Sequence, residues 1–176
     1  MTEFERDTIA LKDGTMAVLR WPAADKAHLV FAHANGFCAS AYRQMLGHLA
    51  GRFAITALDL RGHGRSALPA DPARHTSWDI YAADIAEACG QLDRPADLLA
   101  GHSMGAAASL MAAARLPASP PLALVEPVVL PALIYAAYRT PLRGLIRKRI
   151  GLGDLARRRT NGWPDREAVA ARYRER

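Results

Sequence analysis

The sequence predicts an α/β fold, a mostly parallel sheet with helices on both faces, and three observations carry that prediction. Four short apolar runs, residues 28–34, 53–60, 96–100 and 122–129, are separated by segments long enough for crossover helices. Ahead of them Asp13-Gly14 joins residues 5–12 to 15–21, a two-residue hairpin signal in which both turn positions favour positive φ, so an antiparallel pair opens the chain. After the second run Trp78, Tyr81, Ile85, Cys89 and Leu92 recur at helical spacing, with Thr76 and Asp79 placed as a capping box. That apolar stripe packs on the sheet as core. Right-handed crossovers then bring the C-terminal ends of all four parallel strands to one edge, where ligands bind in open α/β sheets.

Size and composition suit one folded domain: 176 residues, 51% hydrophobic, enough to bury a core and to exclude disorder. The acidic start, Met1-Thr2-Glu3-Phe4-Glu5-Arg6, has no long apolar run behind it, so neither a secretory signal nor a membrane span is expected and the expected location is cytoplasmic. Cys38 and Cys89 form no disulfide framework and no paired metal-ligand spacing, and neither a metal nor a cofactor is expected. The net charge of +6 is uneven, with 12 Lys/Arg and 4 Asp/Glu over residues 139–176 against 11 and 13 before them. No nucleic-acid motif or aromatic platform accompanies the basic tail, so it reads as a solvated helix face and no nucleic-acid partner is expected. From Pro131 the strand pattern gives way to amphipathic helix, broken near Pro141.

The chemistry gathers at Gly101-His102-Ser103-Met104-Gly105, which follows a strand and opens a helix. An accidental Gly-x-Ser-x-Gly arises in a chain this long roughly one time in twenty at average residue usage, before any demand on its placement. In this setting it is a nucleophile elbow. Side chains at Gly101 and Gly105 would crowd the turn, which strains Ser103 and lifts its hydroxyl above the sheet. The small residues Ala106-Ala107-Ala108-Ser109 let the next helix lie close, with its N-terminus and the Met104 amide facing a developing oxyanion. His102 is a packed support for the elbow, because neighbouring residues entering the turn point to opposite sides.

Two further stretches end strands on the same edge. His33-Ala34-Asn35-Gly36-Phe37 stands where a bend can offer a second N–H to the same oxyanion. Asp59-Leu60-Arg61-Gly62-His63-Gly64-Arg65-Ser66 is a tight, glycine-permitted loop whose charged groups hold it by hydrogen bonds, a structural role.

In this order the three stretches resemble the α/β-hydrolase superfamily, particularly its esterases, haloperoxidase-like and proline-iminopeptidase-like enzymes, over about residues 5–130. The resemblance implies the α/β-hydrolase fold with the elbow after the fifth strand and Ser103 as nucleophile. It implies an oxyanion hole from the amides of Met104 and of the Asn35-Gly36 bend, with His33 anchoring that bend. Ala34 stands where relatives usually have glycine, which leaves open whether Asn35 or Gly36 presents the second amide. Residues 1–130 are then the N-terminal part of the core and 131–176 the start of a helical lid. The expected substrate is a small acyl compound, ester-like or amide-like, and a serine at position 103 argues against dehalogenases and epoxide hydrolases.

The pattern breaks at the general base. Such enzymes run serine, acid, histidine, yet His28, His33, His48, His63, His75 and His102 all precede Ser103. Glu126, ending the last apolar run, is either the acid that some relatives carry there or a strand-end carboxylate bonded to nearby amides. The last run would also leave an apolar edge strand near residues 122–129, open to pairing. Both features are expected of a partial chain whose relatives continue to the histidine, and these residues alone are expected to be nearly inactive. The competing expectation is a non-catalytic binding or interaction module that keeps the elbow as architecture.

Overall fold

The computed structural model describes residues 3–71, 77–129, 133, 136, 140 and 163–174. Residues Met1–Val129 form one compact unit and Leu130–Arg176 another.

The first unit is built on six strands, β1 (Glu5–Leu11), β2 (Gly14–Trp21), β3 (Ala27–Ala32), β4 (Phe53–Leu58), β5 (Leu98–His102) and β6 (Leu122–Val125), in the spatial order β1-β2-β4-β3-β5-β6. β1 and β2 pair antiparallel, β2 meets β4 antiparallel, and β4, β3, β5 and β6 run parallel. The mostly parallel sheet with its antiparallel opening pair is therefore as expected. The hairpin differs in one respect. Leu11 pairs with Gly14, so the two loop residues are Lys12 and Asp13, and neither adopts positive φ. Gly14 takes that conformation instead, at φ 151°, where an added Cβ would lie 2.8 Å from Ala67 O. This register places Ile9, Leu11, Met16 and Val18 together in the core.

Successive side chains of a strand face opposite sides of the sheet, and the two cores divide accordingly. Val30 and Ala32 of β3 face one side, with Ile85 and Ala88 of α2 (Asp79–Gly90) and Met104, Ala108 and Ala112 of α3 (Met104–Ala113). Leu29 and Phe31 face the other, with Leu46 of α1 (Arg43–Leu49) and with Trp21, Ile55 and Ala57. The stripe on α2 packs as predicted: Ile85 and Cys89 are buried, and Trp78, Tyr81 and Leu92 pack against them. Burial pushes the Cys89 thiol up to about 11, so it stays protonated and inert. Thr76 of the expected capping box lies outside the described residues. Ser77 serves the start of α2 instead, its Oγ accepting the Asp79 N–H at 3.2 Å and donating to Asp79 Oδ2 at 2.7 Å.

In the second unit α4 (Arg166–Arg174) begins where Asp165 Oδ1 accepts the Ala168 N–H at 2.7 Å, the geometry of an N-cap. Glu167 in its first turn and Arg172 and Arg174 in its last complement the helix dipole. The helical stretch expected around Pro141 lies outside the described residues apart from Leu133, Ala136 and Thr140. Among the described residues no helix is long and apolar enough to cross a membrane.

Candidate active site at the β5–α3 turn

Ser103 sits between β5 and α3 with φ 53° and ψ −113°, half-buried, its Oγ without a hydrogen-bond partner among the described residues. Two close approaches produce that geometry. A Cβ on Gly101 would lie 2.5 Å from Gly105 C and 2.6 Å from Ala106 N, so β5 and α3 can meet this tightly only without one. A Cβ on Gly105 would strike the carbonyl oxygens of Ala32 and His33, which holds the start of α3 against the end of β3. The Ser103 N–H is occupied by Val125 O of β6 at 2.9 Å, so the turn is fixed from its outer side as well. Met104 opens α3, and its N–H belongs to the first-turn donors that have no partner within the helix.

The bend after β3 is a tight turn closed by Phe37 N–H donating to Ala34 O at 3.1 Å, with Gly36 at φ 78° in the position that demands positive φ. His33 is completely buried, its Nε2 accepting from Leu60 N–H at 2.9 Å and its Nδ1 2.8 Å from Ala34 O. Because Nε2 accepts, the proton sits on Nδ1, and burial lowers the ring to about 4. Both nitrogens are thus committed to backbone, tying the ends of β3 and β4 together.

Gly36 departs from expectation. Its N–H donates to His63 Nε2 at 3.1 Å and is therefore occupied. His63 belongs to the loop 59–66 and reaches the bend from there. Its Nδ1 lies 2.9 Å from Arg61 O, and its Nε2 also lies 3.2 Å from Asn35 Oδ1.

The rest of that loop is held as its charges suggested. Asp59 Oδ1 accepts from Ala39 N–H at 2.7 Å and Oδ2 from Arg65 N–H at 2.8 Å. The buried guanidinium of Arg61 grips both carboxylate oxygens of Asp84 at 2.8 and 2.7 Å and reaches Asp13 at 3.1 Å, which raises its pKa further. A tie between helix α2, the hairpin turn and the loop is the result.

Tyr42 is a second residue that the sequence did not single out. Its hydroxyl accepts the Ala34 N–H at 3.2 Å and lies 2.7 Å from His102 Nδ1, joining the bend to the residue just before the nucleophile. His102 is accordingly turned toward Tyr42, with the two rings edge-on at 5.9 Å. Glu126 follows β6 with φ 47° and an exposed side chain whose Oε2 is 3.7 Å from His102 Nε2, and it accepts no backbone amide among the described residues. No cluster of three or more metal-ligating side chains occurs among the described residues.

The family model described as the alpha/beta hydrolase family matches residues 29–176. A non-heme chloroperoxidase of Streptomyces lividans is 35% identical over 100 residues, 56% of this chain and 35% of the relative. A 2-(acetamidomethylene)succinate hydrolase of Mesorhizobium japonicum is 35% identical over 91 residues, 51% of this chain and 31% of the relative. The match thus spans about a third of the length of these curated relatives. Among solved structures, the thioesterase domain from the curacin biosynthetic pathway superposes with a TM-score of 0.71 at 24% identity, over 98% of this chain and 62% of that one, a likeness of fold. An E-2-(acetamidomethylene)succinate hydrolase superposes with a TM-score of 0.61 at 26% identity, over 83% of this chain and 52% of that one.

Proposed function

Because the chain belongs to the α/β-hydrolase family, we propose that it supplies the nucleophile and oxyanion hole of a serine hydrolase acting on small ester-like or amide-like acyl substrates. The observation that carries this reading is the backbone of Ser103, a non-glycine residue at φ 53° clamped between two glycines with its hydroxyl unpartnered among the described residues. Strain of this kind costs about 1–3 kcal/mol and persists where surrounding structure enforces it. Here it presents an alcohol to an incoming acyl carbon.

Ser103 Oγ attacks the acyl carbonyl, and the carbonyl oxygen takes up negative charge between the amides of Met104 and Asn35. Collapse expels the leaving group and leaves an acyl-Ser103 ester for water to cleave. The serine proton needs a base. The 176 residues contain no histidine after Ser103, and His33 is unsuited because both its nitrogens are bonded to backbone. Loss of that base costs about a millionfold in turnover, so these residues by themselves turn over very slowly. Glu126, next to His102 at the end of β6, is the proposed orienting acid, and residues 131–176 the proposed start of a helical lid.

The test is labelling of the chain by a fluorophosphonate probe with and without added imidazole as a substitute base, with Ser103→Ala as control. Slow labelling that imidazole accelerates and that Ser103→Ala abolishes supports the reading. Equal labelling of the two proteins, or none at any imidazole concentration, overturns it in favour of a non-catalytic module that keeps the elbow as architecture.

A further inference from the structure

His63 lies 27 residues from the bend after β3 in sequence, yet it is the side chain that holds Gly36. Its Nε2 faces two groups of opposite demand: Gly36 N–H, a donor, at 3.1 Å, and Asn35 Oδ1, an acceptor, at 3.2 Å. A ring nitrogen satisfies one or the other according to whether it carries a proton. Neutral His63, with its Nδ1–H donating to Arg61 O at 2.9 Å, has a lone pair at Nε2 for Gly36 N–H. Its cation has an N–H there, which suits Asn35 Oδ1 and opposes Gly36 N–H.

We infer that His63 is a positioning residue for the oxyanion bend, and that its protonation exchanges the Gly36 N–H bond for one to Asn35 Oδ1, shifting the backbone amide of Asn35. The inference rests on the proposed role of Asn35 for its catalytic meaning but not for its structural content.

Among the described residues the groups around the ring are these. The His33 ring, 5.0 Å away, stays neutral with both nitrogens on backbone. Tyr81 of α2, 6.4 Å away, keeps its phenol proton because burial raises it. The Arg61 guanidinium is turned to Asp84 and Asp13, and the Asp59 carboxylate is occupied by the amides of Ala39 and Arg65. His63 itself is half-exposed and Asn35 and Gly36 are exposed, so solvent protons reach the ring.

The experiment is a pH titration of the full chain by NMR across about pH 5 to 8, the range in which histidines change charge. It follows the Gly36 backbone amide, the Asn35 side-chain amide and the ring nitrogens of His63, in the natural chain and in His63→Gln. At high pH the ring proton is on Nδ1 and the Gly36 amide proton is shifted downfield by its bond to nitrogen. As the pH falls the Gly36 proton moves upfield and the Asn35 side-chain signals move with it, sharing the His63 midpoint. His63→Gln, which retains an acceptor but does not titrate, removes all three movements while the remaining spectrum persists. A Gly36 amide that ignores the His63 midpoint, or one that titrates equally in His63→Gln, overturns the inference. Fluorophosphonate labelling of Ser103 over the same range is the second arm, expected to slow through the same midpoint. Because the NMR arm needs no chemistry at Ser103, a clean Gly36 titration with no labelling at any pH would refute the serine-hydrolase reading and leave the role of His63 standing.

Discussion

Ser103 and Glu126 hold equivalent places at the ends of neighbouring strands, each one residue beyond the paired residues His102 and Val125, and both carry positive φ, 53° and 47°. They are the only non-glycine residues in that state among the described residues. At Ser103 the glycine-lined close approach of β5, α3 and β3 accounts for the strain. Glu126, between Val125 and Pro127, has no such glycine pair around it, and an L-residue in the left-handed region costs about 1–2 kcal/mol. Glu126→Gly is therefore expected to raise the free energy of unfolding by up to about 1 kcal/mol once the entropy of the added glycine is subtracted. Urea denaturation measures it, and a loss of stability would mean that contacts of the Glu126 side chain outweigh its backbone strain.

The two glycines of the elbow should behave unlike glycines elsewhere. Gly105→Ala sets a methyl against the carbonyls of Ala32 and His33, backbone that cannot swing away, and is expected to cost about 3 kcal/mol or more. Gly47, within α1, has open space around the same position, so Gly47→Ala is expected to stabilise by about 0.5–1 kcal/mol through helix propensity. Thermal melts of the two variants should move in opposite directions.

Arg61 and Asp84 form an ion pair whose side chains are only 4% and 5% exposed. Removing one partner leaves the other charge buried, so Asp84→Ala is expected to cost about 3–5 kcal/mol. Asp13, the other carboxylate on Arg61, is half-exposed and compensates little. The double change Arg61→Met with Asp84→Leu leaves no buried charge and should cost far less than the two single changes combined. Additive losses would show that the pair is not coupled.

Stability should fall in mild acid because of His33. In the fold its pKa is about 4, against 6.5 in the unfolded chain, so between those values the unfolded state binds the extra proton. This contribution is intact above about pH 6.5 and lost progressively down to about pH 4, in total about 3 kcal/mol for a shift of this size. His28, lowered by burial, acts in the same direction. Asp7, Asp79 and Asp97, all lowered by hydrogen bonds, lose their contributions only at more acidic pH. Urea midpoints between pH 6.5 and 4 should decline, and His33→Asn should flatten the slope. A natural chain with level midpoints across that window would contradict the burial of a neutral ring.

Local sequence was sufficient wherever a feature is made of neighbours. The strands, the stripe on α2 and the elbow all reside within short stretches, and their patterns survive folding. What was not legible depends on distance along the chain. Tyr42 meets His102 across 60 residues and His63 meets Gly36 across 27, and no periodicity marks either residue beforehand. The hairpin turn fell one residue from its expected place for a related reason. Asp13-Gly14 has the better local turn chemistry, and either pairing puts Ile9, Leu11, Met16 and Val18 on one face, but in the observed one Ala67 N–H donates to Thr15 O at 2.8 Å and Asp13 reaches Arg61, partners that lie far along the chain.

The central claim is that Ser103 presents its hydroxyl beside preset amide donors. A crystal structure of the chain after prolonged reaction with a small fluorophosphonate tests it most directly. The account predicts phosphorus bonded to Ser103 Oγ with the phosphoryl oxygen about 2.7–3.1 Å from both the Met104 and the Asn35 amide nitrogens. An adduct whose phosphoryl oxygen faces away from both amides, or one formed on any other residue, would contradict it.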